Sequence, residues 1–213
     1  MSQPVKPRRE YRSVHRATQA SETRAALLRA AGDLFVRQGW QKSTIAAIAR
    51  QAGVSVETVY AGFGSKLALL EAVMVAAVRG LQPETALMDQ AGPRRVLRAP
   101  DQPRQIALFA DDIASILTRA APLMAVVRTA AESEPTLREL YVGLHRGRAG
   151  NFAMLVDALL ERGPLRTDRD TAIATLARLA SPELFMLVTN VEGRSAEQYA
   201  RWLADALTAM LLP

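Results

Sequence analysis

Apolar residues recur along this chain at intervals of three and four, with no sustained period-two alternation, so helices are predicted throughout. A first helix is predicted from near Ser21 to near Gly39. Its apolar stripe is Ala26, Leu27, Ala30, Ala31, Leu34 and Phe35, with Ser21 as its cap and Glu22 at its positive end. Ser43 and Thr44 can cap a short helix that runs to about Gln51 and is broken by Gly53. Ser55 can cap another through about Ala61, after which Gly62-Phe63-Gly64 reads as a turn. Ser65 then caps a helix from Lys66 to about Arg79, apolar along Leu67, Leu70, Val73, Met74 and Ala77.

Residues 80–103, with Gly80, Pro83, Gly92, Pro93, Pro100 and Pro103, read as a broken connector with at most one helical turn near 84–89. Longer helices are predicted at 104–119, 122–132, 136–162, 168–192 and 195–211. Pro122 and Pro135 suit helix starts, and Ser195 with Gln198 forms a capping-box pattern. Ser181-Pro182 either kinks its helix or caps a restart.

Composition narrows the chemistry. Of 213 residues, 49% are hydrophobic and 23% charged, as in ordinary globular chains. No run approaches the roughly 18 uncharged apolar residues of a membrane span, so no membrane partner is expected. Residues 1–20 hold five basic side chains and no apolar run, which excludes a secretory signal in them and predicts a flexible basic arm. With no cysteine and only His15 and His145, thiolate chemistry and histidine-rich metal sites are excluded; no metal or cofactor is expected. A cytoplasmic location fits the cysteine-free composition. Charge is lopsided: residues 1–66 carry 11 Lys/Arg against 4 Asp/Glu, whereas residues 67–213 carry 16 against 17. That asymmetry points to a polyanion-binding end, or a solubilising tail, joined to a neutral body.

The short pair at 44–61 has the spacing of a helix-turn-helix. Ala49 offers a small side chain at the helix crossing, Gly53 tolerates positive φ, and Val59 faces back, with Ile45 and Ile48 as further buried contacts. The outward face of the second helix then presents Ser55, Val56, Glu57, Thr58 and Tyr60, short or flat side chains that suit a DNA major groove.

From Thr23 to Leu70 the text, including AALLRAAGDLFVRQGWQKSTIAAIARQAGVSVETVYAGFGSKLALL, resembles the DNA-binding domain of TetR-type (tetracycline-repressor-like) transcriptional regulators. Leu34-Phe35…Gly39, Ile48-Ala49…Ala52-Gly53-Val54-Ser55 and Thr58-Val59-Tyr60…Phe63…Ser65-Lys66…Leu69 carry the likeness without gaps. The resemblance implies an all-α fold: an N-terminal three-helix helix-turn-helix domain over 21–66, after an arm at 1–20, joined to a larger helical effector-binding and dimerisation domain over 67–213. It also implies contacts. Thr44 would give a hydroxyl and backbone N–H groups to phosphate, Lys66 a point charge, and Tyr60 a phosphate or base contact; Val56 and Thr58 would face bases, where a methyl can pack on thymine. Gly62 departs from the family's usual tyrosine or histidine, and Glu57 either accepts from a cytosine amino group or repels phosphate.

In the body, Phe109, Ile113, Leu117, Met124, Val127, Phe152, Leu155 and Phe185 could line an effector cavity or fill plain core, with Tyr141 and His145 as polar groups to orient a ligand. Leu176, Leu179, Leu184, Leu187 and Val188, with Tyr199, Trp202, Leu203, Ala206, Leu207, Met210 and Leu211, offer more apolar surface than a lone helix pair hides. Helices 168–192 and 195–211 are therefore expected to form a homodimer. The expected function is a ligand-responsive repressor that binds a palindromic operator as a dimer and is released by a small hydrophobic molecule. The rivals are a regulator or activator without a ligand, and an enzyme. No nucleophile motif, metal cluster or phosphate loop supports the enzyme.

Overall fold

The computed structural model describes residues 8–80 and 85–213, with side chains from residue 18 onward. Among the described residues every element is helical. The order is α1 (Arg8–Lys42), α2 (Ile45–Ala52), α3 (Val56–Phe63), α4 (Lys66–Arg79), a 3₁₀ turn (Leu87–Asp89), α5 (Ala91–Leu97), α6 (Gln102–Ala130), α7 (Pro135–Leu160), α8 (Arg169–Leu179), α9 (Pro182–Met186), a π turn (Leu187–Val191) and α10 (Ala196–Leu211). The chain divides into two compact units, Met1–Val73 and Met74–Pro213, so the division falls inside the continuous helix α4 and not at 66/67.

In the N-terminal unit, Leu27, Ala31, Leu34 and Phe35 of α1, Ile48 and Ala49 of α2, Val59 of α3 and Leu69 and Leu70 of α4 are buried. The helix begins earlier than the predicted Ser21. The arm expected over 1–20 is helical from Arg8 onward, and residues 1–7 lie outside the described residues. No Gly or Pro interrupts 8–31, and extending an established helix costs far less than nucleating one. At Gly39 (φ 75°, ψ 175°) α1 leaves the helical region, the exit that the sequence predicts there.

The C-terminal unit is built around α6, which packs against α5, α7, α9 and α10. Its core includes Ile106, Leu117, Val156, Leu159, Leu176, Tyr199, Leu203 and Leu207. Three predictions change here. The helices expected at 104–119 and 122–132 are one, because α6 runs through Pro122. Burial of Leu117, Ala121, Leu123, Met124 and Val127 around it outweighs a proline cost of about 3 kcal/mol. The connector contains α5, since Gly92 and Pro93 lie in the first turn, where a missing N–H costs nothing. Ser181-Pro182 caps a restart, with the Ser181 hydroxyl accepting from Leu184 N at 3.1 Å.

Arginines close the seams between these helices by donating to backbone carbonyls at helix ends. Arg162 bonds Leu97 O and Ala99 O (both 2.7 Å), Arg166 bonds Leu212 O (2.8 Å), Arg119 bonds Ala77 O (2.9 Å) and Arg148 bonds Ala180 O (2.6 Å). These carbonyls are the acceptors that a helix C-terminus leaves without partners.

Two segments, Gln102–Ala130 and Arg169–Val191, are long and apolar enough by length and composition to cross a membrane, each with mean hydropathy 1.3, contrary to the reading from uncharged runs. The first carries Asp111, Asp112 and Arg119 along its middle, and its apolar face forms the bundle core; the second is broken at Ser181-Pro182.

Candidate functional site

The helix-turn-helix is fixed by local hydrogen bonds. Thr44 adopts extended backbone and its hydroxyl accepts from Ala47 N at 3.1 Å, capping α2. Gly53 ends α2 in the left-handed region (φ 70°, ψ 32°), and Val54 N bonds Ala49 O at 3.0 Å. Ser55 caps α3, accepting from Thr58 N at 3.2 Å with the Thr58 hydroxyl 3.1 Å away. Val59, 1% exposed, turns inward, while Ser55, Glu57, Thr58 and Tyr60 are exposed and Val56 is half-buried. Thr44 is also exposed. The five residues named from the sequence as an outward face thus lie on α3 or at its cap, Thr44 caps α2, and Ala49 and Val59 are buried as the crossing requires. The Gly62-Phe63-Gly64 turn is shorter than expected, because α3 continues to Phe63 and Gly64 (φ 75°) caps it.

Lys66 is the first residue of α4, but its ammonium is turned inward, donating to Trp40 O and lying 4.1 Å from the Trp40 ring centroid. Its role here is to tie the end of α1 to the start of α4. The Glu57 carboxyl is held below its ordinary range by a hydrogen bond from its own backbone N–H and by Ser55, so α3 carries a negative charge on its exposed face at neutral pH. The sequence reading missed a surface latch: Asp33 pairs with Arg37 and accepts from Gln51 at 2.7 Å, joining α1 to α2.

The C-terminal unit encloses an apolar cavity of about 120 Å³. Of the residues proposed to line it, Phe109, Ile113, Leu117, Met124, Phe152 and Leu155 do, and Phe109 and Phe152 meet edge-on at 5.7 Å. Val127 and Phe185 are instead buried core, with Phe185 edge-on to Tyr199 at 5.0 Å. Tyr141 and His145 gather around Glu183 of α9: the Tyr141 hydroxyl donates to Glu183 Oε1 at 2.8 Å, and His145 Nε2 lies 3.5 Å from the same oxygen. Arg148 stands 3.2 Å from His145 Nδ1 and can only donate there, which places the imidazole proton on Nε2, toward Glu183. Burial lowers the His145 pKa from its ordinary value, against the pull of Glu183.

Other wall residues were not singled out as ligand contacts: Met74 and Val78 of α4, Pro93, Val96 and Leu97 of α5, and Asp112 and Arg148. The helical spacing of Val96 and Leu97 was hidden by the Gly-Pro that precedes them. Among the described residues no group of His, Cys, Asp or Glu is arranged to hold a metal.

Among the described residues, the chain pairs a capped, exposed helix-turn-helix with a cavity-bearing helical bundle. Residues 27–73 match the family model for bacterial regulatory proteins of the tetR family. Over 58 residues the chain is 45% identical to the HTH-type transcriptional regulator SrpR of Pseudomonas putida, a match that spans 27% of each chain. Its fold is similar to NalD of Pseudomonas aeruginosa, the secondary repressor of the MexAB-OprM multidrug efflux pump (TM-score 0.65, 23% identity, 90% of this chain and 97% of that one). It is also similar to the transcriptional regulator FadR of Bacillus subtilis in complex with stearoyl-CoA (TM-score 0.67, 16% identity, 86% and 96%). Residues 27–73 thus carry the N-terminal domain of the tetR-family regulators, and the fold of the chain is that of the solved TetR-type regulators it is similar to.

Proposed function

We propose that this chain is a cytoplasmic repressor that binds a palindromic operator as a homodimer and is released when a small apolar effector enters the C-terminal cavity. The carrying observation is the exposed recognition helix: Ser55, Val56, Glu57, Thr58 and Tyr60 outward, Val59 inward, and Thr44 beside them at the start of α2. Thr44 and the N-terminal N–H groups of α2 suit a phosphate, and the α3 face suits base edges. Lys66 reaches phosphate in this reading only by leaving Trp40.

The dimer surface is smaller than the sequence suggests. Tyr199, Leu203, Leu207 and Leu211 are buried within the chain, leaving Leu187, Val191, Trp202 and Met210 exposed around α9 and α10. These four would form the apolar centre of a two-fold interface. NalD is described as a repressor and FadR was solved with an acyl-CoA, which supports repression and an apolar effector here. Met74 and Val78 of α4 line the cavity, and the same helix begins in the N-terminal unit, so occupancy can bias α4 and with it the operator fit. A coupling of about 1–3 kcal/mol would change operator affinity roughly 5–150-fold.

Selection of bound sequences from random duplex DNA tests the reading. The expected product is an inverted repeat with half-sites about one helical turn or more apart. Recovery of unrelated sequences, held only by steeply salt-dependent attraction, would overturn it.

A further inference from the structure

The cavity wall is apolar except where charged or amide groups reach it, and the two charged ones are not equivalent. Arg148, on α7, is committed: it donates to Ala180 O at 2.6 Å, meets His145 Nδ1 at 3.2 Å and lies 5.3 Å from the Phe152 ring centroid. Asp112, on α6, is half-buried at the cavity wall and has neither a hydrogen bond nor an ion pair within 4 Å among the described residues. Its charged neighbours are Arg95 and Arg119, which act on it only at longer range, and Arg119 is occupied by Ala77 O and Ser115. The carboxylate lies so close to α5 that a Cβ on Gly92 would collide with Asp112 Oδ1.

The Asp112 oxygens keep some access to solvent, but no donor among the described residues engages them, so the N–H of a bound molecule can take the place of water there. We infer that the effector of this site, given the ligand-responsive reading above, is a small apolar body bearing one cationic nitrogen, seated with its N–H groups on Asp112. The volume supports a compact body: about 120 Å³ is close to the roughly 150 Å³ of an engineered cavity that binds benzene, so one aromatic ring or a short branched chain fits. Desolvation pushes the Asp112 carboxyl above its ordinary range against Arg95 and Arg119, and a bound ammonium would draw it back down.

The test titrates the full-length chain with three probes of one shape: 2-phenylethylammonium, 2-phenylethanol and 3-phenylpropanoate. The ammonium is expected to bind about tenfold or more tightly than the alcohol, as a charge-assisted hydrogen bond implies. Asp112→Asn, nearly isosteric, should abolish that preference while leaving alcohol binding within about twofold. Gly92→Ala, which keeps the carboxylate but displaces it, should reduce the preference too, so the result does not rest on one variant. Equal binding of alcohol and ammonium, tighter binding of the carboxylate, or a preference that survives Asp112→Asn would overturn the inference and leave the cavity as an effector site. If none of the three binds and filling the cavity with Ile113→Trp leaves operator release by all other ligands unchanged, the cavity reading itself falls.

Discussion

The two units are specified in different ways. Around α2 and α3 the contacts that set the exposed face are local: Thr44 to Ala47, Val54 to Ala49 and Ser55 to Thr58 span three to five residues. In the C-terminal unit they are distant in sequence: Arg162 reaches Leu97, Gln102 reaches Gly163 and Arg166 reaches Leu212. The exposed face of α3 is thus fixed by caps and a glycine, whereas the cavity exists only once α4, α5, α6 and α7 have come together. Local specification suits a surface that must keep one shape; assembled walls suit a site whose geometry answers to what fills it.

The largest test of this contrast is Leu203→Ala. Leu203 is fully buried against the bundle, so the loss should be about 2–5 kcal/mol, read as a lowered unfolding midpoint with amide protection in α2 and α3 unchanged. Equal loss of protection in α2 and α3 would mean that the units are not independently specified. Arg162→Ala should follow at about 2 kcal/mol, because it removes charged donors from Leu97 O and Ala99 O, and Arg162→Lys should restore only part of it. Gly53→Val, which places a β-branched residue at φ 70°, should cost roughly 1–2 kcal/mol and weaken operator binding by about tenfold or more, with the bundle unaffected by hydrogen exchange. Ser55→Ala removes the α3 cap and should cost about 1 kcal/mol, again confined to α2–α3.

The smallest expected effect is a pH dependence. Burial lowers the His145 pKa in the fold below its unfolded value near 6.5, so the neutral ring's stabilisation is complete above that value and is lost as pH falls below it. Stability should decline modestly from pH 7 to 5, and His145→Asn should flatten that decline in denaturant titrations.

The same contrast explains what could be read beforehand. Caps and turn glycines announce themselves within a few residues, so Thr44, Gly53 and Ser55 were legible as structure and placed the outward face correctly. The Ser195–Gln198 capping box was legible for the same reason. Pro122 misled because a proline's cost is local while the burial that outweighs it comes from four neighbouring helices. Cavity residues were legible only by type: a buried Phe looks alike whether it lines a void, as Phe152 does, or fills the core, as Phe185 does. Lys66 illustrates the converse, a residue found at the expected position whose ammonium has a different partner, because Trp40 lies 26 residues away in sequence.

The arginine ties carry a consequence of their own. Most ionic fastenings fail in acid, since protonating a carboxylate removes the acceptor. A peptide carbonyl does not titrate, and a guanidinium keeps its proton throughout. The joints made by Arg119, Arg148, Arg162 and Arg166 should therefore stay shut at pH values where Asp157 has released Arg169. These four arginines belong to the near-neutral segment 67–213, where they serve as mortar for the bundle; the chain's positive excess lies apart from them, in residues 1–66.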